Sequence, residues 1–117
     1  MAGNNDSLSF RTIDGAIQQR GGIKSETLAA DLVLDLTYGR YLRLDPGGAA
    51  RNVDFAAAHE VDGASYKILN TADAAEALTI RDSADATIVS LAQNEMAEVV
   101  YDGSAWAHMG IITIALS

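Results

Sequence analysis

From Leu28 onward, apolar residues come in short runs of strand length, cut by strong turn residues at intervals of roughly 8–12 residues. Turn signals fall at Asp45-Pro46-Gly47-Gly48, Asp62-Gly63, Asn70 to Asp73, Asp82 to Asp85, Gln93 to Glu95 and Asp102-Gly103. The runs between them predict strands at Tyr41–Leu44, Arg51–Phe55, Ser65–Asn70, Leu78–Arg81, Thr87–Leu91, Glu95–Tyr101 and Ala105–Met109. Leu32, Leu34 and Leu36 alternate with Asp31, Val33 and Asp35, the period of a half-buried strand. A helix competes over Thr27–Leu36, which is rich in Ala and Leu, but Thr37-Tyr38-Gly39 beyond it favours the strand. Ala56–Val61 reads equally as a loop or one helical turn. Ile111–Leu116 is a last β-branched run, nearly all apolar, and predicts a strand buried on both faces or covered by a neighbouring subunit.

These elements sum to an all-β, single-domain antiparallel β-sandwich or jelly-roll-like barrel with an extended N-terminal arm. The body covers residues 27–117 and the arm residues 1–26. The arm is rich in Gly, Asn, Ser, Asp and Gln; its one alternating stretch is Leu8-Ser9-Phe10-Arg11-Thr12-Ile13, and Asp14-Gly15 and Gly21-Gly22 form joints. No segment repeats at a fixed period. A chain of 117 residues can bury about two-thirds of its unfolded surface, enough for one core.

Charge divides the chain as well. In residues 1–27, Arg11, Arg20 and Lys24 cancel Asp6, Asp14 and Glu26, so the remainder carries the whole net charge of −8. An acidic body argues against binding a phosphate backbone, where cations must displace counterions, and no nucleic-acid partner is expected. No apolar run approaches the roughly 20 residues of a membrane span, and MAGNNDSLSF lacks the pattern of a secretory signal, so synthesis in the cytosol and no membrane partner are expected. With no cysteine, disulfides and thiolate metal sites are excluded, leaving packing, backbone pairing and association to hold the fold.

A search for chemistry finds little. His59 and His108, the only imidazoles, stand in no metal pattern and read as surface or loop residues. Gly21-Gly22-Ile23-Lys24-Ser25 echoes a phosphate loop, but Ile17 occupies the place of its first glycine. Asp73-Ala74-Ala75-Glu76 and Asp82-Ser83-Ala84-Asp85 each offer too few oxygens for Ca²⁺ and read as Asx-capped turns. No catalytic residue, cofactor or metal is assigned. Among the aromatics, Phe55, Tyr66 and Trp106 read as core, whereas Phe10 lies in a polar arm with little to bury it and reads as an interface anchor.

The phrases LDPGGAARNV, Ile-Leu-Asn-Thr-Ala-Asp-Ala-Ala-Glu and Tyr-Asp-Gly-Ser-Ala-Trp resemble small β-rich structural proteins of tailed bacteriophages, above all head decoration (cement) proteins, and also tail-fibre modules. The resemblance covers a little over half the chain and rests on turn-and-strand phrases. It implies a non-enzymatic virion protein on the outer surface of the capsid, made in the host cytoplasm, with the major capsid protein as partner and a homotrimer as its assembly. Such a protein stabilises the shell because many weak contacts act together and bind the assembled form best. On this reading Leu8, Phe10 and Ile13 are apolar teeth of the arm and Arg11, Arg20 and Lys24 its charge partners, while Ile111, Ile112, Ile114 and Leu116 form a possible subunit interface. The alternative is a tail- or head-fibre module that binds host receptor or carbohydrate through Tyr101 and Trp106.

Overall fold

A computed structural model of the chain describes residues 23–115. The strands are β1 (Ile23–Thr27), β2 (Leu32–Val33), β3 (Tyr41–Asp45), β4 (Arg51–Asp54), β5 (Ser65–Asn70), β6 (Leu78–Arg81), β7 (Thr87–Leu91), β8 (Glu95–Tyr101) and β9 (Trp106–Thr113). The described residues contain no α-helix, and Ala57–His59 forms a single 3-10 turn. The all-β expectation holds. The arm stretch Leu8–Ile13 lies outside the described residues, while β1 runs across the 26/27 boundary and is paired into the body.

Two mixed sheets share one core, the first in the order β9-β8-β5-β3-β1 and the second in the order β2-β4-β6-β7. The expectation of antiparallel sheets is corrected here. β1 with β3, β3 with β5, β2 with β4 and β4 with β6 all pair in parallel. From β1 to β6, successive strands alternate between the sheets, so the crossover that parallel pairing requires is supplied each time by a strand of the opposite layer. The register sets Ile23 against Tyr41 and Tyr41 against Lys67, and Leu32 against Val53 and Val53 against Ile80. Turns of the coil therefore differ in length, which is why the sequence shows no period. After β6 the chain reverses: β7 pairs antiparallel with β6, β8 with β5, and β9 with β8.

The core follows the alternation in each strand. Leu42, Leu44, Ile68, Ala97 and Val99 from the first sheet meet Val53, Leu78, Ile80, Val89 and Leu91 from the second, with Leu28, Leu34 and Phe55 from the connections. Each large side chain among them contributes about 1.5–3 kcal/mol by leaving water. At Gly47, with φ 77°, a Cβ would stand 2.0 Å from the Leu28 carbonyl oxygen, so only glycine lets the β3–β4 turn pass that close to the chain leaving β1. Between β4 and β6, Arg81 forks onto its register partner Asp54 through Nε at 2.7 Å and Nη2 at 2.8 Å.

Two strand expectations are corrected. The Leu32, Leu34, Leu36 stripe ends early because Asp35 caps a turn, accepting the N–H and hydroxyl of Thr37, so Leu34 is buried and Leu36 exposed. Ala105–Met109 and Ile111–Leu116 are not separate strands: β9 joins Trp106–Met109 to Ile111–Thr113, a bulge between His108 and Ile111 with Gly110 at φ 97° absorbs the break, and the strand ends before Ile114. The apolar end of β9 is exposed within this chain and not buried on both faces.

Asn70 braces the end of β5. It is fully buried, and its Nδ2 donates to the carbonyls of Glu76 at 2.7 Å and Leu91 at 3.0 Å while its Oδ1 accepts from the N–H of Ala72 at 2.9 Å. Asn70→Ala orphans those three groups in the interior and is expected to destabilise the protein by about 2–4 kcal/mol in urea unfolding. Asn70→Asp sets a carboxylate against two carbonyls and should cost at least as much. A loss below about 1 kcal/mol for either variant contradicts this role.

Candidate functional site

Two places on this scaffold gather exposed or chemically capable side chains: a groove beside Trp106 and the open edge of β9.

The groove grows out of an aromatic cluster. The Trp106 ring stacks on Phe55 with centroids 4.2 Å apart and planes 12° apart, Tyr66 tilts against Phe55 at 5.0 Å, and Tyr101 meets Trp106 edge-on at 5.2 Å. Phe55 is thus core as expected, and Tyr66 and Trp106 pack against that core while half-buried. His59 belongs to the same cluster, which corrects its expected surface position. It is buried, the Ala56 N–H donates to Nδ1 at 3.1 Å, and Nε2 lies 3.2 Å from the Asp35 carbonyl oxygen, a pattern that assigns the proton to Nε2. His108 is spent on the β9 bulge, its Nδ1 accepting from the Gly110 N–H at 3.2 Å.

Glu60 binds the groove together. Its carboxylate accepts the Ser83 hydroxyl at 2.7 Å, the Ser83 N–H at 3.1 Å and the Trp106 indole N–H at 3.0 Å. The Ser83 hydroxyl, then the indole, hold its pKa below the usual carboxylate value. The opening is ≈ 340 Å³ and is bordered also by Asp82, Thr87, Ile88, Tyr101 and Ser104. Its best hydrogen-bonding groups are consumed by one another. Glu60 and Trp106 are 46 residues apart, and no spacing in the sequence announces their pairing.

The acidic turns hold themselves in the same way. Asp82 accepts the N–H groups of Ala84 and Ala86, and Asp102 those of Ser104 and Ala105, so the Asx-turn reading of Asp82–Asp85 is observed. Backbone donation from Ala105 lowers the pKa of Asp102; the Thr37 hydroxyl does so for Asp35, and the Asn52 N–H for Asp31. Asp73 and Glu76 come together with Asp45 from the β3–β4 turn, with one oxygen of each within 4.8 Å of the others. Two of these carboxylates already accept backbone N–H groups, Asp45 from Gly47 and Glu76 from Gly48.

β9 is the other place. Its outer side is the edge of the five-stranded sheet among the described residues, and all its residues after Trp106 are exposed. Met109 is 70% exposed, Ile111 44% and Ile112 61%, while Ile114 beyond the strand is half-buried, its N–H donating to the Asn94 carbonyl at 2.7 Å. Lys24 lies far across the same sheet on β1, its Nζ 5.3 Å from the centre of the Tyr38 ring. The Tyr38 hydroxyl is pushed up to about 12 by burial and by its donation to Glu26. Lys24 and Ile111–Ile114 therefore do not form one site. Leu8, Phe10, Arg11, Ile13, Arg20 and Leu116 lie outside the described residues.

Comparison with protein-family models, with curated proteins and with solved structures found no match.

Two outcomes follow from the groove and the turns. Trp106→Ala should destabilise the chain by about 2–3 kcal/mol in urea unfolding, below the range for a full core aromatic because the indole is half-buried. An unchanged midpoint would free Trp106 for ligand contact and contradict its role as packing. The folded-state pKa values of Asp31, Asp35, Glu60 and Asp102 are depressed, so their contribution is present above the unfolded value near 4 and is lost as pH falls through the folded values. The urea midpoint should therefore drop between pH 6 and pH 2, roughly the span those carboxylates cover. A midpoint that rises on acidification counts against it.

Proposed function

We propose that this chain is a non-enzymatic structural protein of a tailed-phage particle, a decoration (cement) protein that binds the outer surface of the head and stabilises the capsid lattice. The word phage rests on the resemblance of LDPGGAARNV, ILNTADAAE and YDGSAW to such proteins. The observation that carries the structural reading is that the polar side chains of the turns and the groove hold the chain's own backbone and one another. A site that turns over a substrate needs unpaired donors and acceptors aimed at it; a scaffold needs them spent. The sandwich description of the body and the extended N-terminal arm belong to this proposal; the parallel pairing from β1 to β6 is not the antiparallel pairing of a jelly roll.

In this reading the arm contacts the major capsid protein, with Leu8, Phe10 and Ile13 entering apolar depressions and Arg11 and Arg20, together with Lys24 on the adjoining β1, meeting carboxylates. The acidic body faces solvent, and self-association multiplies the contacts per attached unit. The receptor- or carbohydrate-binding alternative stands second, because the Trp106 indole N–H and the Ser83 hydroxyl, which a sugar would use, are already donated to Glu60.

Deleting residues 1–22 leaves β1 intact, and the remaining body should keep its unfolding midpoint while losing attachment to the heads of the particle that encodes it. Full occupancy of the heads by the truncated protein, read by gel densitometry of purified particles, refutes the arm as the attachment element.

A further inference from the structure

We propose that the outer edge of β9 pairs with β9 of a second copy of this chain, antiparallel about a two-fold axis, joining two five-stranded sheets into one.

β9 is the longest strand, and among the described residues nothing pairs with its outer side. An exposed edge of that length is a template for another strand, and proteins that avoid pairing blunt it with charge, proline, brevity or a bulge; of these β9 has only the bulge between His108 and Ile111. The other edges of the two sheets are blunted: β1 carries Lys24 and Glu26, β2 has two residues, and the exposed side chains of β7 are Thr87 and Ser90. The sequence of β9, WAHMGIIT, has no Asp, Glu, Lys, Arg or Pro.

The apolar surface concentrates there too. Met109, Ile111 and Ile112 are three of the seven large hydrophobic residues exposed on the described surface, and they lie within four positions. The five-stranded sheet has one strand more than the sheet it packs on, and β9 is at its end, so Ile111 stays open although it pairs with the buried Ala97.

Charge selects a second copy as the occupant. The net charge is −8, so two copies approaching through most of the body set carboxylates against carboxylates; at β9 they meet without a formal charge on either strand. An antiparallel pair about a two-fold axis presents the same patch from both sides, and an uncharged apolar strand is complementary to itself. This inference deepens the self-association in the proposed function and replaces the trimer implied by resemblance with a contact that closes at two copies.

The test is the solution mass of the free, full-length chain by sedimentation across micromolar to millimolar concentrations. The expected mass is twice the 12.3 kDa of one chain. Met109→Lys and Ile112→Lys, both at exposed positions, should each raise the dissociation constant about tenfold or more by placing cations across the two-fold axis, with the unfolding midpoint of the monomer unchanged. Ser25→Lys on the opposite edge should leave the mass alone. A single-chain mass throughout, an oligomer indifferent to both β9 lysines, or equal disruption by Ser25→Lys overturns the proposal. So does loss of pairing on removal of residues 1–22, which would make the arm, and not the β9 edge alone, the element that joins the copies. Head occupancy is scored separately: a monomer that still coats particles removes the pairing alone, and a dimer that does not bind heads removes the capsid reading alone.

Discussion

Asn70 ends β5, the last strand that the coil adds to the first sheet, one strand before the chain doubles back after β6. From β1 to β6 each strand pairs in parallel with the strand two along, and a coil built that way has no internal reason to end. The Asn70 carboxamide ties the end of β5 to the loop before β6 and to the end of β7, and its carbonyl receives the Asn94 N–H at 2.9 Å. Asn94 in turn receives Ile114, so one buried amide and two backbone bonds connect the coil, its antiparallel cap and the chain beyond β9. A buried amide is stabilising only when every donor is met, and both Nδ2 hydrogens are. The core leucines and isoleucines supply the driving force, but they would fill other pairings of the same strands nearly as well.

Turn chemistry was legible because it is local. Gly47, Gly48, Gly63, Asp85, Asn94 and Gly103 all have positive φ, and each falls within a turn that Gly, Asn or Asp announces in the sequence. Strand positions from β3 to β8 followed from the period of two, whereas β1 lies mostly in residues read as the arm. Pairing direction did not, because a half-buried strand alternates identically whether its neighbour runs with it or against it. Alternation between the sheets was equally hidden, since it lies in which strands meet and not in any one of them. The Leu36 miss has a smaller cause: three leucines at period two predict a face, and the Asp35 cap turns the chain away before the third arrives.

The candidate site divides along the same line. That β9 is apolar could be read from Ile111 and Ile112; that it forms an uncovered edge depends on one sheet outnumbering the other by a strand. Glu60 went unread because its partners Ser83 and Trp106 are distant in sequence, and His59 looked like a loop residue because Phe55 and Tyr66 pack against it only in the folded chain. Together these features describe a body whose polar groups are turned inward on its own architecture. Among the described residues, what is left for contact with other molecules lies at the margin, on β9.

The most direct test of the proposed role is a cryo-electron microscopy reconstruction of the particle that encodes this chain. The account predicts density for the two-sheet body on the outer face of the head, acidic turns towards solvent, with residues before Ile23 against the shell. Density for this chain in a tail or head fibre, or none on the particle, would contradict it.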